Sequence, residues 1–564
     1  MKKGGYPIRL QKHLKIGAIS AENDDLFLSE CFIDTGDYSS LVDTECDASI
    51  ILGRTGSGKS ALLEMVKKKE DNVIEVFPEE LALNYISHSN IIILLEECGV
   101  SLDPFYQLLW KHIFVVELIR YKYDIGDESA LKATLESFSS LFKKDRVKKT
   151  ALEYLTKWQD KFWLPVEDRV KEITTKIETQ LTKSLGIGGK FQGKIQDLLS
   201  SGLSAAARRE KLSTLSKEEK EEIRNRVRSA VDSVQIQELH QVIKLLGENL
   251  LDNKQERFYI VIDKIDENWV EDKTRYRLIR ALIDTIKTFR RVRTVKFLLA
   301  LRVDLLQTVF NKTRSAGYQE DKLRDYILEL RWNNADLKAL LERRVAYMFR
   351  RQYEKVDAKL SDLFPVHVGS TNALDWLMSR TLMRPRDLIV YVNFCLDRAA
   401  GNKGITSSNI RDMEVSYSQE RLNAVCQEWI GEFPALEQSL EVLKNKKNGF
   451  THSEITKDQI DKLAEDILLL DLPDGGEIYR LVCSYLNKEI SRASFINCII
   501  TIFYLVGLIG IKRDGHESAI WSYADSAFVT EAEVKRSSHF YIHPMFWRAL
   551  GIHVDKKIKG SGGF

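Results

Sequence analysis

The sequence has little of what a secreted or membrane-bound chain needs. The segment 1–7 is charged and has no apolar run, so we expect no signal peptide there. The longest apolar stretch, 495–511, contains Asn497 and Thr501 and is shorter than the roughly 20 residues of a membrane-spanning helix. These absences predict a soluble, cytoplasmic protein that makes no membrane contact.

Proline, paired cysteines and an excess of either charge are also scarce. Nine prolines and 30 glycines in 564 residues argue against long flexible linkers and favour a mainly helical chain. None of the seven cysteines forms a CxxC pair, so zinc-finger chemistry is not expected. Lys and Arg total 84 against 82 for Asp and Glu, a net charge of +2, which excludes a polybasic protein that binds nucleic acid over its whole surface.

What the sequence does contain is a complete phosphate-binding motif. Residues 53–60 read GRTGSGKS, which matches GxxxxGK[ST] at every fixed position. The apolar segment Ala48–Leu52 before it predicts a strand, and 61–66 after it predicts the start of a helix. The motif therefore has the strand–loop–helix setting that phosphate binding requires.

The chemistry of this loop follows from its residue types. Glycines let backbone N–H groups turn towards phosphate oxygens at the positive end of a helix dipole. The Lys59 ammonium would lie beside the β- and γ-phosphates and neutralise part of their negative charge. The Ser60 hydroxyl would be a ligand of Mg²⁺. The residues expected to contact the nucleotide here are Gly53, Thr55, Gly56, Ser57, Gly58, Lys59, Ser60 and Ala61.

A second apolar strand, Phe258–Ile262, is predicted to end at an acidic cluster. Asp263 follows it directly and would hold Mg²⁺ through water. Asp266 and Glu267 come next, and either could orient or deprotonate an attacking water. We favour Glu267, although acids at a helix start also occur because the helix dipole favours them.

Arginines supply the remaining candidate phosphate contacts. Arg302 follows a third apolar strand, Val295–Leu301, and would sense the γ-phosphate, brace Asp263, or form a salt bridge with a nearby aspartate. Arg384 and Arg386 bracket a proline at a predicted helix start, where they could reach phosphates or pair with Asp. No NKxD motif for guanine is present, so ATP with Mg²⁺ is the expected ligand pair.

The pattern predicts an α/β protein built in five segments. Residues 401–564 end in helices followed by a predicted hairpin at Gly510–Arg513 and Ala519–Tyr523, which is typical of a winged helix. The segments are an N-terminal part and first core half (1–125), a helical insertion (126–250), the second core half (251–330), a helical lid (331–400) and a winged-helix-like domain (401–564).

Taken together, these segments resemble bacterial P-loop ATPases of the KAP/STAND and origin-recognition-like AAA lineages. The resemblance implies a P-loop NTPase αβα sandwich with a helical insertion, a helical lid and a winged-helix-like C-terminal domain. The phosphate loop is the specific part of the likeness, and the other motifs are more degenerate. Besides Gly53–Ser60, the resemblance lies in 21–24, 31–33, Asp263–Trp269, Arg302–Asp304, Leu330–Trp332, Arg384–Asp387 and 543–546.

The resemblance implies an ATP-driven molecular switch that forms a homo-oligomer and recruits a separate effector protein, plausibly in anti-phage defence. The sequence departs from these lineages in two ways. The insertion lacks the membrane helices that KAP-type proteins usually have, and Lys264 occupies the position where AAA-type proteins have Glu after the Mg²⁺-binding Asp. The second departure predicts slow hydrolysis rather than loss of binding.

Two alternatives to the switch stay open. One is a DNA-acting loader whose winged helix and basic groups, Arg290–Arg293 and Arg350–Arg351, would contact DNA phosphates. The other is a scaffold that holds ATP without hydrolysing it. The sequence shows no nuclease, protease or kinase motif that would support a different enzyme class.

Overall fold

A computed structural model describes most of the chain outside the predicted insertion. The segment 126–250 lies almost wholly outside the described residues and stays a prediction. The described ranges, apart from a few isolated positions between 124 and 253, are 9–78, 102–122, 255–267, 272–313, 320–354, 358–470, 476–514, 518–525 and 528–554.

The described strands are short, and most are rich in β-branched and aromatic residues. They are β1 (Ile50–Leu52), β2 (Val73–Val76), β3 (Phe258–Ile262), β4 (Val295–Leu301), β5 (Ile327–Glu329), β6 (His367–Val368), β7 (Thr371–Asn372), β8 (Gly449–Phe450), β9 (Ile509–Lys512) and β10 (His539–Ile542).

Helices make up most of the remaining described chain. They are α1 (Asp25–Cys31), α2 (Asp37–Val42), α3 (Lys59–Lys69), α4 (Asp103–Lys122), α5 (Asp272–Phe289), α6 (Val303–Lys312), α7 (Asn334–Tyr353), α8 (Leu360–Leu363), α9 (Ala373–Met378), α10 (Pro385–Arg398), α11 (Ser407–Glu428), α12 (Leu436–Ser439), α13 (Lys457–Leu468), α14 (Gly476–Leu486), α15 (Arg492–Val506) and α16 (Glu531–Arg536). None of the described helices is both long and apolar enough to cross a bilayer.

Five strands form one parallel sheet in the order β2-β3-β4-β1-β5. Every residue of β3 and β4 is buried, which explains why their sequences are continuous apolar runs rather than alternating ones. Because the strands are parallel, their carboxyl ends share one edge. The α/β prediction is confirmed. Gly53, Asp263 and Arg302 follow β1, β3 and β4, so three of the predicted site residues lie at that edge.

Contacts between Cα atoms divide the chain into two compact units. The sheet unit comprises Gly36–Gly53 and Leu62–Glu329. The other, which we call the loop unit, comprises Met1–Thr35, Arg54–Ala61 and Leu330–Phe564. The phosphate loop thus groups with the residues after 330 rather than with the strand that precedes it.

In the sheet unit, α4 and α5 pack together, and the Trp110 indole donates to the carbonyl of Leu278 at 2.9 Å. The segment before β1 is fixed by two cations. Arg290 donates to the carbonyl of Thr44 at 2.6 Å and pairs with Asp47, and Lys296 donates to nearby carbonyls. Burial lowers the pKa of Lys296 to about 8. Arg290, one of the arginines considered for DNA contact, is therefore part of the fold.

In the loop unit, α10 packs on α11, with the rings of Tyr391 and Tyr417 stacked at 4.2 Å. Helices α13, α14 and α15 lead into an antiparallel sheet of order β8-β10-β9. The predicted hairpin differs in its pairing, because β9 pairs with β10 along its length and meets 519–523 at one bridge, Ile511 with Ile520. The winged-helix-like assignment of 401–564 stays a prediction.

The N-terminal segment is held in the loop unit by a buried ion pair. Asp24 and Arg344 lie 2.6 Å apart, with side chains 4% and 6% exposed. Asp24 also accepts a hydrogen bond from the Ala18 N–H at 2.6 Å. An exposed pair, Glu30 with Arg350, joins the same segment to the same helix, α7.

We expect Asp24→Asn to lower the free energy of unfolding by about 3 kcal/mol or more, because it leaves the buried Arg344 charge without a counter-charge. Glu30→Gln, the matched control on the exposed pair, should cost less than about 1 kcal/mol. Urea unfolding measures both. Equal losses in the two variants would show that burial of the Asp24 pair has no such effect.

Candidate functional site

The phosphate loop is a tight turn between β1 and α3. The Gly53 N–H donates to the carbonyl of Leu301 at 3.2 Å, which joins the start of the loop to the end of β4. Gly56 and Gly58 have φ of +81° and +102°, in the left-handed region where other residues are strained. The backbone conformation of the loop therefore requires glycine at both of these positions.

Lys59 and Ser60 are the first two residues of α3. The N–H groups of a first helical turn have no partner within the helix, so this end attracts anions. The Lys59 ammonium donates to the carbonyl of Arg54 at 3.1 Å and so lies back over the loop. The structure thus groups the Lys59 ammonium, the Ser60 hydroxyl and the N-terminal N–H groups of α3, and these groups suit a phosphate ligand.

Three consecutive carbonyl groups of the loop accept hydrogen bonds from residues beyond 330. A loop whose carbonyl groups are held by protein donors can present its N–H groups to an anion. The three bonds run from Arg384 Nη1 to Thr55 O at 2.9 Å, from the Arg386 backbone N–H to Gly56 O at 3.4 Å, and from Trp332 Nε1 to Ser57 O at 2.7 Å.

Arg384 belongs to a buried ionic network. Its guanidinium contacts Asp387 at 2.9 Å and Glu428 at 3.2 Å, and Arg421 approaches Asp387 at 3.5 Å. Burial alone would raise the pKa of Asp387, but Arg384 and Arg421 outweigh burial and lower it. Arg384 therefore has two carboxylate partners in addition to its bond to the loop.

Arg386, only two residues away, is in a different situation. Its side chain packs on Gly56, where an added Cβ would lie 2.8 Å from the Arg386 Cβ. Its Nε is buried and has no hydrogen-bond partner in the described part of the chain. The guanidinium also forms no ion pair with the described residues. Burial, with Arg384 nearby, lowers its pKa. A partly buried cation beside the loop is thus left for an anion.

The Ser57 hydroxyl is the second unsatisfied group at the loop. Ser57 is 4% exposed, and its Oγ has no partner among the described residues. A buried hydroxyl without a hydrogen bond is costly, and an acceptor or donor from a ligand would remove that cost. The loop therefore fits a phosphate ligand on two independent grounds, Ser57 and Arg386.

In the sheet unit, the chain turns sharply after β3. Asp263 Oδ1 accepts the N–H of Lys264 at 2.8 Å, and Lys264 has a φ of +57°. The carbonyl of Lys264 then accepts the N–H of Glu267 at 3.1 Å. A lysine in the left-handed region is uncommon, and such strain is often found at functional sites.

The two candidate acids differ in their surroundings. Arg302 pairs with Asp304 at 2.5 Å and lies 3.9 Å from Asp266. Asp266 is about one-third exposed, whereas Glu267 is exposed and its carbonyl accepts a hydrogen bond from Arg275 at 3.1 Å. The structure therefore brings Asp266, rather than Glu267, to Arg302.

A cavity of about 690 Å³ lies between the N-terminal segment and α10 in the loop unit. The amide of Asn393 fixes one wall, since it accepts the Ile16 N–H and donates to the Gly17 carbonyl, both at 3.0 Å. Val390 and Asp397, on the same helix, also line the cavity. Arg386, Val390 and Asn393 recur at helical spacing, so the loop contact and the cavity share one face of α10.

Sequence reasoning missed two of the residues that shape the loop. Trp332 was visible only as part of the Leu330–Trp332 resemblance, with no role assigned. Arg54 occupies a position that the motif leaves unspecified, so no local signal distinguishes it. The pairing of Arg384 with Asp387 was one of the expectations from sequence, because the two residues are three apart at a helix start.

Comparison with known proteins agrees with this geometry. The KAP family P-loop domain matches residues 48–359, and the FunZ-associated C-terminal helical domain matches 335–426. A relative in Escherichia coli (strain K12), named as an 80.3 kDa protein of transposon gamma-delta, is 22% identical over 555 residues. The match covers 96% of this chain and 67% of that protein. With its strand order, its phosphate loop and a family match over more than half of its length, the chain belongs to the KAP family of P-loop NTPases.

Proposed function

We propose that the chain binds ATP with Mg²⁺ and hydrolyses it slowly, and that its nucleotide state controls self-assembly or the recruitment of a separate effector protein. The observation that carries the proposal is the pair of unsatisfied groups at the loop, the buried Ser57 hydroxyl and the Arg386 guanidinium. Both lack partners within the described chain, and both suit phosphate oxygens.

Each loop residue then has a distinct task. The Ser57 N–H donates to the Arg54 carbonyl at 3.1 Å, so the N–H groups of Gly56 and Gly58 wrap the phosphates, and Lys59 neutralises the β- and γ-phosphates. Arg386 adds a charge-assisted contact to the γ-phosphate. Since ADP lacks that phosphate, Arg386 is the residue through which the chain distinguishes ATP from ADP.

The oxygen donors of Ser60 and Asp263 suit Mg²⁺, which prefers hydroxyl, carboxylate and water ligands. Ser60 is the second residue of α3, in the loop unit, and Asp263 follows β3 in the sheet unit. When bound by these residues, the ion would supply positive charge that neutralises the phosphates. Among the described residues, no cluster of three or more His, Cys, Asp or Glu side chains offers another metal site.

Hydrolysis requires a carboxylate that orients the attacking water and accepts its proton. Asp266 is the better placed candidate, because Arg302 lies 3.9 Å away and steadies it. Glu267 remains the alternative on sequence grounds. Lys264 occupies the position directly after Asp263, which supports slow turnover.

The adenine base fits the cavity beside α10. Seven residues separate Arg386 from Asn393, about 10 Å along a helix axis at 1.5 Å per residue. A nucleoside triphosphate can span that distance, with its γ-phosphate at Arg386 and its base near Asn393. The volume of about 690 Å³ is within the usual range for a small-molecule site.

The DNA-loader alternative has less support. Three of the five arginines considered for DNA contact form ion pairs with acidic groups: Arg290 with Asp47, Arg293 with Glu45 and Arg350 with Glu30. A charge already paired gains less from a phosphate. The anti-phage role expected from the resemblance likewise has no described residue that favours it, so the proposal stops at the switch.

Lys59→Ala should abolish both phosphate release and stabilisation of the chain by Mg·ATP, because the loop loses the ammonium group that neutralises the β- and γ-phosphates. Lys68→Ala, in the exposed last turn of the same helix, is the matched control and should behave as wild type. Phosphate release and thermal unfolding with nucleotide report the two effects. A Lys59→Ala variant that hydrolyses ATP normally would contradict the proposal.

Asp266→Asn should keep ATP binding and lower turnover by about 100-fold or more, the usual contribution of a positioned base. Glu267→Gln should lower it much less, because its side chain is exposed. Single-turnover phosphate release separates the two variants. The opposite ranking would assign the base to Glu267, as sequence reasoning favoured.

Arg386→Ala should weaken ATP binding about tenfold or more while leaving ADP binding and the unfolding temperature nearly unchanged. Arg384→Ala should instead destabilise the fold, because Asp387 and Glu428 lose their buried counter-charge. Titration with a non-hydrolysable ATP analogue and with ADP, alongside thermal unfolding, tests the contrast. Equal weakening of both nucleotides by Arg386→Ala would remove its role as the γ-phosphate contact.

A further inference from the structure

Arg54 lies inside the phosphate loop, yet its side chain contacts a distant part of the chain. Its Nη2 donates to the carbonyl of Leu505 at 2.5 Å and to the Ser522 hydroxyl at 2.8 Å. Both acceptors lie beyond residue 426, where the matched C-terminal domain ends. The contact therefore joins the loop to a segment that neither family model covers.

The end of α15 is built to receive this cation. Carbonyl groups at a helix C-terminus lack intrahelical partners and carry partial negative charge, so an arginine is favourable there. Gly507 caps the helix with a φ of +90°, and an added Cβ would lie 2.9 Å from Arg54 Nη1. Glycine thus serves both the left-handed cap and the space for the guanidinium.

The second acceptor, Ser522, is fixed by its neighbours. Trp521 and Tyr523 place their rings 5.1 and 5.5 Å from the buried His543 ring, and Tyr523 Oη lies 3.0 Å from His543 Nε2. The Met545 N–H donates to His543 Nδ1 at 3.1 Å, which leaves Nε2 as the donor to Tyr523. Arg54 is therefore attached to a packed structure rather than to a mobile loop.

We propose that Arg54 is a positioning residue that couples the phosphate loop to the segment 505–523, so that nucleotide binding and the local stability of this segment depend on each other. The inference rests on the proposed function, since it requires a nucleotide at the loop. Coupling between two sites is reciprocal: if an intact segment favours the loop conformation that binds phosphate, bound phosphate must stabilise the segment.

The proposed coupling would transmit the nucleotide state of the loop to the C-terminal sheet. Segment 505–523 contains β9 and its bridge to Ile520, within the C-terminal sheet. A change of loop conformation on phosphate release would be transmitted by Arg54 to this sheet, which is where a partner could detect it. Typical coupling between sites is roughly 5- to 150-fold in affinity.

The test is hydrogen exchange of the intact protein with and without a non-hydrolysable Mg·ATP analogue. In the wild type, the analogue should slow exchange in peptides covering 505–523. Arg54→Ala should weaken analogue binding by about tenfold and lose the protection of these peptides. Arg54→Lys, which retains the charge and one donor, should restore part of both effects.

Arg513→Ala is the matched control, since Arg513 lies next to β9 but pairs with the exposed Glu533 at 3.0 Å. It should change neither binding nor protection. If Arg54→Ala does not fold, Ser522→Ala and Arg54→Lys serve the same test, with partial loss of protection expected in each.

The outcomes separate this inference from the proposed function. A wild type that binds no nucleotide would overturn the proposed function. A wild type that binds nucleotide without any change of exchange at 505–523 would overturn the coupling alone. The coupling is also excluded if Arg54→Ala keeps both wild-type affinity and wild-type protection.

Discussion

The conformation of the phosphate loop depends on hydrogen bonds from residues far along the chain. Trp332, Arg384 and the Arg386 backbone hold the carbonyl groups of residues 55–57, and Arg54 joins the loop to the end of α15. Two of these contacts use guanidinium groups, which make the stronger, charge-assisted bonds. A glycine-rich loop has much conformational entropy to lose, and these fixed donors reduce what nucleotide binding must supply.

This arrangement also explains why neighbouring arginines can have different tasks. Arg384 is neutralised by Asp387 and Glu428, so it can be buried and support the loop. Arg386 has no such partner in the described chain and rests on Gly56, so its charge is left for a ligand. Through Arg54, Arg384 and Arg386 the phosphate loop contacts residues beyond 330, which is the connection that the proposed switch requires.

The sequence predicted the motif-bearing elements well, because β3 and β4 are apolar runs and the phosphate loop has fixed residue types. It missed β5, which is only three residues long, with Ile327 and Leu328 partly buried and Glu329 exposed. Of the predicted hairpin, the structure shows the antiparallel bridge between Ile511 and Ile520. The sequence did not reveal the longer pairing of β9 with β10, since strand pairing across intervening residues leaves no local pattern. The contrast between Arg384 and Arg386 depends on long-range contacts with Glu428 and Gly56, and no spacing within one helix reveals them.

The central claim is that the loop, as the residues beyond 330 shape it, binds the triphosphate of ATP. Isothermal titration calorimetry of the intact wild-type protein with a non-hydrolysable ATP analogue tests it most directly, in the presence and absence of Mg²⁺. The account predicts saturable binding of one analogue per chain that is weakened when Mg²⁺ is removed. Absence of binding at millimolar analogue with Mg²⁺ present would contradict it.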